Sequence, residues 1–147
     1  MSTFYSLNFH ITFSTKNRVR TIRSDWMNRF HAYIGGIANQ LKGKPLKIGG
    51  IEDHIHILVG LKTTHRLSDF MRELKKSSSK WIHESLDSPE FEWQDGYACF
   101  SVSPTACGAV TNYIANQREH HRVKSFREEL ETMLREAQME FDPKYLD

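Results

Sequence analysis

Cysteine is scarce in this chain: Cys99 and Cys107 are the only two among 147 residues, and they form no CxxC pair. Nothing therefore points to a disulfide framework, and a reduced, cytoplasmic protein is expected. Long hydrophobic runs are missing as well. No apolar stretch approaches the roughly 18–20 residues that span a bilayer, so no membrane partner is expected. Met1–Phe13 alternates polar and apolar residues without a basic leading region, which argues against a signal peptide. Internal repeats and low-complexity segments are absent. Net charge is small too, at +2 from 20 Lys+Arg against 18 Asp+Glu, a total that by itself argues against a nucleic-acid enzyme.

What is present is an ordinary folding composition, 39% hydrophobic and 26% charged, which excludes a disordered chain. At this length one domain with a core of its own is expected, without metal or disulfide staples. The near-neutral total also conceals a gradient. Residues 1–82 carry 14 Lys/Arg against 5 Asp/Glu, whereas residues 83–147 carry 6 against 13. The front half is thus basic and suited to an anionic partner.

Hydrophobic periodicity orders the elements. Phe4–Phe13 reads as a strand with Leu7, Phe9, Ile11 and Phe13 on one face and His10 and Thr12 on the other. A basic loop, Lys16–Arg20, leads to a helix capped by Ser24 or Asp25 and running to about Gln40. Leu46–Ile51 and His54–Leu61 form a hairpin across Glu52–Asp53, with Gly49–Gly50 as a possible bulge or flexible stretch. A second helix starts at Thr64 or Ser68 and closes at Ser88–Pro89. Phe91–Ser103 contains a fourth strand, Ala106–His121 suits a third helix, and Ser125–Glu140 suits an acidic fourth. The order β-α-β-β-α-β predicts an α+β, ferredoxin-like (RRM-like) antiparallel sheet with additional C-terminal helices. One domain is expected over 1–147: a ferredoxin-like core (1–103), a helix (104–122) and an acidic helical tail (123–147).

Two local patterns carry chemistry. In Asp53-His54-Ile55-His56, the histidines lie at i and i+2 of a strand and project from one face, roughly 7 Å apart. They could chelate an ion or form the polar side of a sheet, and a metal would need a third ligand. In the third helix, Tyr113 and Gln117 are four apart and share a face, with His120 and His121 one turn beyond. A tyrosine beside a metal can act as a nucleophile; equally, it can simply pack. His10 is a candidate neighbour of His54, and Asp53 is either a metal-orienting group or a turn residue.

Together these motifs resemble the HUH single-tyrosine transposases, the insertion-sequence-200-like enzymes and their REP-associated relatives. The resemblance extends to Ser14-Thr15-Lys16-Asn17-Arg18, to Ser125-Phe126-Arg127-Glu128-Glu129 and to the ending Phe141-Asp142-Pro143-Lys144-Tyr145-Leu146. It implies that His54, His56 and Gln117 bind a divalent metal, magnesium or manganese. It also implies that Tyr113 is the nucleophile that cleaves and rejoins hairpin-bearing single-stranded DNA through a 5′-phosphotyrosine, without ATP. A homodimer is expected by the same resemblance, with a monomer open.

DNA contacts are expected from Lys16, Arg18, Arg20 and Arg23 in the loop and from Arg72, Lys75, Lys76 and Lys80 on the second helix, with Ser77–Ser79 adding backbone contacts. The acidic tail is expected to lie away from DNA. The alternative function is a non-catalytic ferredoxin-like nucleic-acid-binding module. The opening strand, however, lacks the aromatic RNP pattern. A zinc hydrolase would need a carboxylate at the metal, and Glu52 and Glu119, the nearest in sequence, are poorly placed for it.

Overall fold

The computed structural model describes residues 1–146. Four strands, β1 (Asn8–Ser14), β2 (Lys44–Ile51), β3 (His54–Gly60) and β4 (Ala98–Val102), form one sheet in the order β2-β3-β1-β4. Every neighbouring pair is antiparallel. The helices are α1 (Met27–Gln40), α2 (Leu67–Ser85), α3 (Cys107–Ala115), α4 (Gln117–His120) and α5 (Phe126–Glu136). This is the expected ferredoxin-like order with helices appended.

Strand alternation decides which residues face which layer. Ile11 and Phe13 of β1 and Ile55, Ile57 and Val59 of β3 point to one side, where they bury against Phe30 and Ile34 of α1 and Phe70, Leu74 and Ile82 of α2. The intervening positions, His10, Thr12, Ser14, His54 and His56, emerge on the other side. They too are buried, because α3, α4 and α5 cover that face. A second small apolar cluster makes the cover: Phe126, Leu130, Leu134 and Leu146 pack with Ala98, Phe100 and Phe141. Arg18 fastens it, lying 5.7 Å from the Phe126 ring centroid and donating to the Leu146 carbonyl.

Several boundaries differ from the sequence expectation. The first strand starts at Asn8 rather than Phe4. Neither α1 nor α2 has a side-chain cap; Trp26 and Arg66 precede them. The irregularity in β2 falls between Pro45 and Lys47, because proline cannot donate to the ladder. Gly49 instead permits a close approach: a Cβ there would sit 2.7 Å from the Ile114 carbonyl oxygen of α3. Gly50 has φ +152°, and a Cβ would collide with the His54 carbonyl. The third helix is broken at Asn116 (φ −105°, ψ 26°) into α3 and α4. The last helix is the best capped: Ser125 Oγ accepts from Glu128 N at 3.2 Å, and the Glu128 carboxylate accepts from Ser125 N at 3.4 Å, a capping box.

Candidate active site

The two histidines of β3 are fully buried, with ring centroids 5.1 Å apart. A carboxylate fixes the proton of the first. Asp53 Oδ1 lies 2.7 Å from His54 Nδ1 and accepts its proton, leaving a lone pair on Nε2. That nitrogen faces Gln117 Oε1 at 3.0 Å and Glu129 Oε1 at 3.5 Å. His56 Nδ1 lies 2.7 Å from His10 Nε2, and His56 Nε2 lies 2.9 Å from Glu129 Oε1. His121 Nδ1 donates to the Lys124 carbonyl at 2.6 Å. Its Nε2 is buried with Glu129 Oε2 3.2 Å away. Tyr113 donates its hydroxyl to Glu129 Oε2, with His120 Nε2 3.4 Å from the same oxygen of Tyr113.

Glu129 is the hub, and the residue is 2% exposed. Burial by itself would raise its pKa, but the imidazoles of His121 and His56 hold it well below the usual carboxylate range. The same charge acts on its neighbours in proportion to their contact. Tyr113 is pushed far above an ordinary tyrosine, first by burial and then by its bond to the carboxylate. His56 is lowered by burial, against the opposing pull of Glu129. In His121 the carboxylate outweighs burial, and the pKa rises. His10 is lowered by burial to about 3, so its ring is neutral.

These donors fit a divalent metal. One ligand atom each from His54, His56, His121 and Glu129 lies within 4.8 Å of all the others. The Nε2 atoms of His54 and His121 face the Glu129 carboxylate, and His54 Nε2 also faces the Gln117 amide, a set of nitrogen and oxygen atoms that a divalent cation can bridge.

The chain matches the family described as "Transposase IS200 like" over residues 3–117. It belongs to this transposase family. Among solved structures, a candidate transposase from Deinococcus radiodurans R1 is similar with TM-score 0.62 and 22% identity, over 80% of this chain and 95% of that one. A REP-associated tyrosine transposase bound to a REP hairpin is similar with TM-score 0.61 and 16% identity, over 82% and 74%. A comparison with curated proteins finds no match.

In this member of the family, Tyr113, His54, His56 and Gln117 meet at one point of a single chain. The matched segment ends at Gln117, so His121 and Glu129 lie beyond it. Glu129 stood in the sequence only as part of the resembling segment Ser125–Glu129 and not as a site residue, and the acidic helix is not set apart but supplies it to the centre of the site. The available signal was an acid within the apolar stripe Phe126, Leu130, Leu134 of α5, one position after the capping-box glutamate. The two carboxylates nearest in sequence are engaged elsewhere: Glu52 binds Arg118 at 2.7 Å and Arg20 at 3.3 Å, and Glu119 pairs with Arg122 at 3.4 Å. His10 neighbours His56 rather than His54.

The expected DNA-contacting cations do not gather here. Lys16 pairs with Glu92 at 2.9 Å, Arg23 with Asp25 at 3.1 Å and Arg72 with Asp69 at 3.0 Å. Lys75 is half-buried against the Gln94 and Gly96 carbonyls, and burial lowers its pKa to about 8. Lys76 and Lys80 are exposed on α2, on the far side of the sheet from Tyr113. Ser78 is buried and accepts from Trp93 Nε1 at 3.0 Å, which removes it from any external contact. Beside Tyr113 the structure has instead a cavity of about 320 Å³ lined by His10, His120, Lys124, Glu129, Thr132 and Glu136 among others.

Proposed function

We propose that this chain is a metal-dependent DNA transesterase that cleaves and rejoins hairpin-bearing single strands through Tyr113. The observation that carries the reading is the convergence of the Tyr113 hydroxyl and the His54–His56 pair on one buried carboxylate, Glu129. Membership of a transposase family supports it, and so does a fold neighbour bound to a REP hairpin.

In this reading Glu129 Oε2 takes the Tyr113 proton as the phenolic oxygen attacks phosphorus. An O–P bond to Tyr113 forms, the bond to the 3′ oxygen breaks, and that oxygen leaves as a hydroxyl after taking a proton from solvent. The product is a 5′-phosphotyrosine, which preserves a phosphodiester and lets a later 3′-OH rejoin the strand without ATP. His54, His56, His121 and Glu129, with Gln117 beside them, would hold the metal, whose chemistry is to orient the scissile phosphate and offset its developing charge. Of the two metals expected, manganese suits this imidazole-rich set better than magnesium. Lys124 and His120 flank Tyr113 on the cavity side, where a phosphate would enter. All of these groups belong to one chain, so a homodimer is not needed to complete the site.

Labelled hairpin-bearing single-stranded DNA, incubated with the protein and manganese, should yield a denaturant-resistant adduct. Tyr113→Phe should abolish the adduct, and His54→Ala should abolish cleavage while sparing DNA binding. Mixing those two variants should restore nothing if the site acts within one chain. Glu129 also supports a hydrolase reading; cleavage that persists in Tyr113→Phe without an adduct would establish it. DNA binding without cleavage would establish the binding module.

A further inference from the structure

Three histidines point Nε2 at the centre of the site, and each can ligate a metal only with its proton on Nδ1. For His54 the proton is held by the Asp53 carboxylate at 2.7 Å, and for His121 by the Lys124 carbonyl at 2.6 Å. His56 has neither. Among the described residues its Nδ1 meets only His10 Nε2, at 2.7 Å, inside the sheet-covering layer where both rings are buried. His10 reaches it diagonally: its direct partners across the ladder are Leu58 and Phe100, whereas His56 sits opposite Thr12. Side chains at such diagonal positions come within reach of one another on one face of a sheet.

Two imidazoles sharing one hydrogen bond can divide it in two ways. If His10 donates, His56 must carry its own proton on Nε2, which then points at Glu129 and is closed to a metal. If His10 accepts, His56 keeps its proton on Nδ1 and offers a lone pair at Nε2. Only the second tautomer completes the cage.

We infer that His10 is a positioning residue whose Nε2 accepts the His56 Nδ1 proton and thereby holds His56 in the metal-binding tautomer. It lies outside the group of candidate ligand atoms and acts through His56. The inference rests on the metal reading above. It also accounts for a polar ring at the inner end of the cavity, where an apolar residue would fill the same space. Groups of this kind, placed one bond behind a ligand, commonly govern affinity by 10–100-fold.

The test is binding of Mn²⁺ and Zn²⁺ alone, by calorimetry on the full chain, together with long-range ¹H–¹⁵N spectra that distinguish the imidazole tautomers. Wild-type protein should bind one ion, with His56 protonated on Nδ1. His10→Leu should weaken binding by 10–100-fold, and His10→Gln, whose amide oxygen can accept the same proton, should remain within a few-fold of wild type. Equal affinity of His10→Leu and wild type would overturn the inference, as would His56 protonated on Nε2 in the metal-bound protein. The spectra need no variant, so they decide even where His10→Leu fails to fold. Failure of wild-type protein to bind either ion would instead remove the metal reading on which the inference stands.

Discussion

At the scale of single residues, Glu129 sets the behaviour of everything it touches. A carboxylate this deeply buried is stable only if its lone pairs are met, and here a phenol and imidazoles meet them. The phenol is stabilised in its neutral form as a result. Replacing Glu129 with Gln removes the charge and keeps the shape, so the Tyr113 pKa should fall back toward its ordinary range while burial keeps it above 10. Ultraviolet titration should show one tyrosine transition that disappears in Tyr113→Phe and moves to lower pH in Glu129→Gln. If Glu129 takes the nucleophile's proton, adduct formation should nevertheless slow about 10²–10⁴-fold, the usual contribution of a placed base. A faster adduct in Glu129→Gln would mean that the carboxylate only restrains the tyrosine. That His54 and His56 share a face, and Tyr113 and Gln117 another, was legible in the sequence because each pair follows a local period: two along a strand, four along a helix. Glu129 follows none that reaches His56, which lies 73 positions earlier, and its placement depends on how a whole helix docks.

At the scale of elements, that docking is achieved by few residues. The cluster of Phe126, Leu130, Leu134 and Leu146 is separate from the main core, so α5 can be loosened without unfolding the sheet. Leu130→Ala should cost about 2 kcal/mol, the lower end for a large-to-small change, because its site is peripheral and can relax. Hydrogen exchange should rise in α5 amides while β1 and β3 stay protected, and metal affinity should fall although no ligand has been altered. Unchanged exchange in α5 would show that the capping box and Arg18, rather than apolar packing, hold the helix. The order of elements and the ferredoxin-like plan were readable from hydrophobic periodicity, but the second helical layer that closes the histidine face was not. Boundaries were not: Asn116 interrupts a helix whose apolar pattern continues across it. Gly49 answers a contact with Ile114 that lies 65 positions away, where sequence alone suggested a local irregularity.

At the scale of the whole molecule, the split between a basic front and an acidic back does not divide a DNA face from a remote one. The acidic segment crosses to the basic half and closes its histidine face, while Arg18, from the basic loop, holds the far end of that segment in place. Burial of so many imidazoles makes the fold sensitive to acid. His10 is lowered to about 3 and His31 to about 4, both chiefly by burial. A folded pKa below the unfolded value of about 6.5 means that the unfolded chain binds the proton first as pH falls. Stability from these groups is therefore intact above pH 6.5 and declines below it, until the folded pKa is reached. His121 works in the opposite sense, since its raised pKa favours the folded state in acid, but it is one group against several. Glu129 adds to this window only at its acid end, because its folded pKa is depressed and its contribution declines as pH falls through the unfolded glutamate range. His31 separates the fold from the site: it sits on α1, across the sheet from Tyr113, with Nε2 buried and without a hydrogen-bond partner among the described residues. Chemical denaturation between pH 7 and pH 4 should give a stability that falls with acid, and His31→Leu should flatten that slope by up to about 1.4 kcal/mol per pH unit, the weight of one linked proton. Metal affinity measured at pH 7 should be unchanged in the same variant. A slope identical to wild type would place the acid sensitivity in the histidines of the site alone.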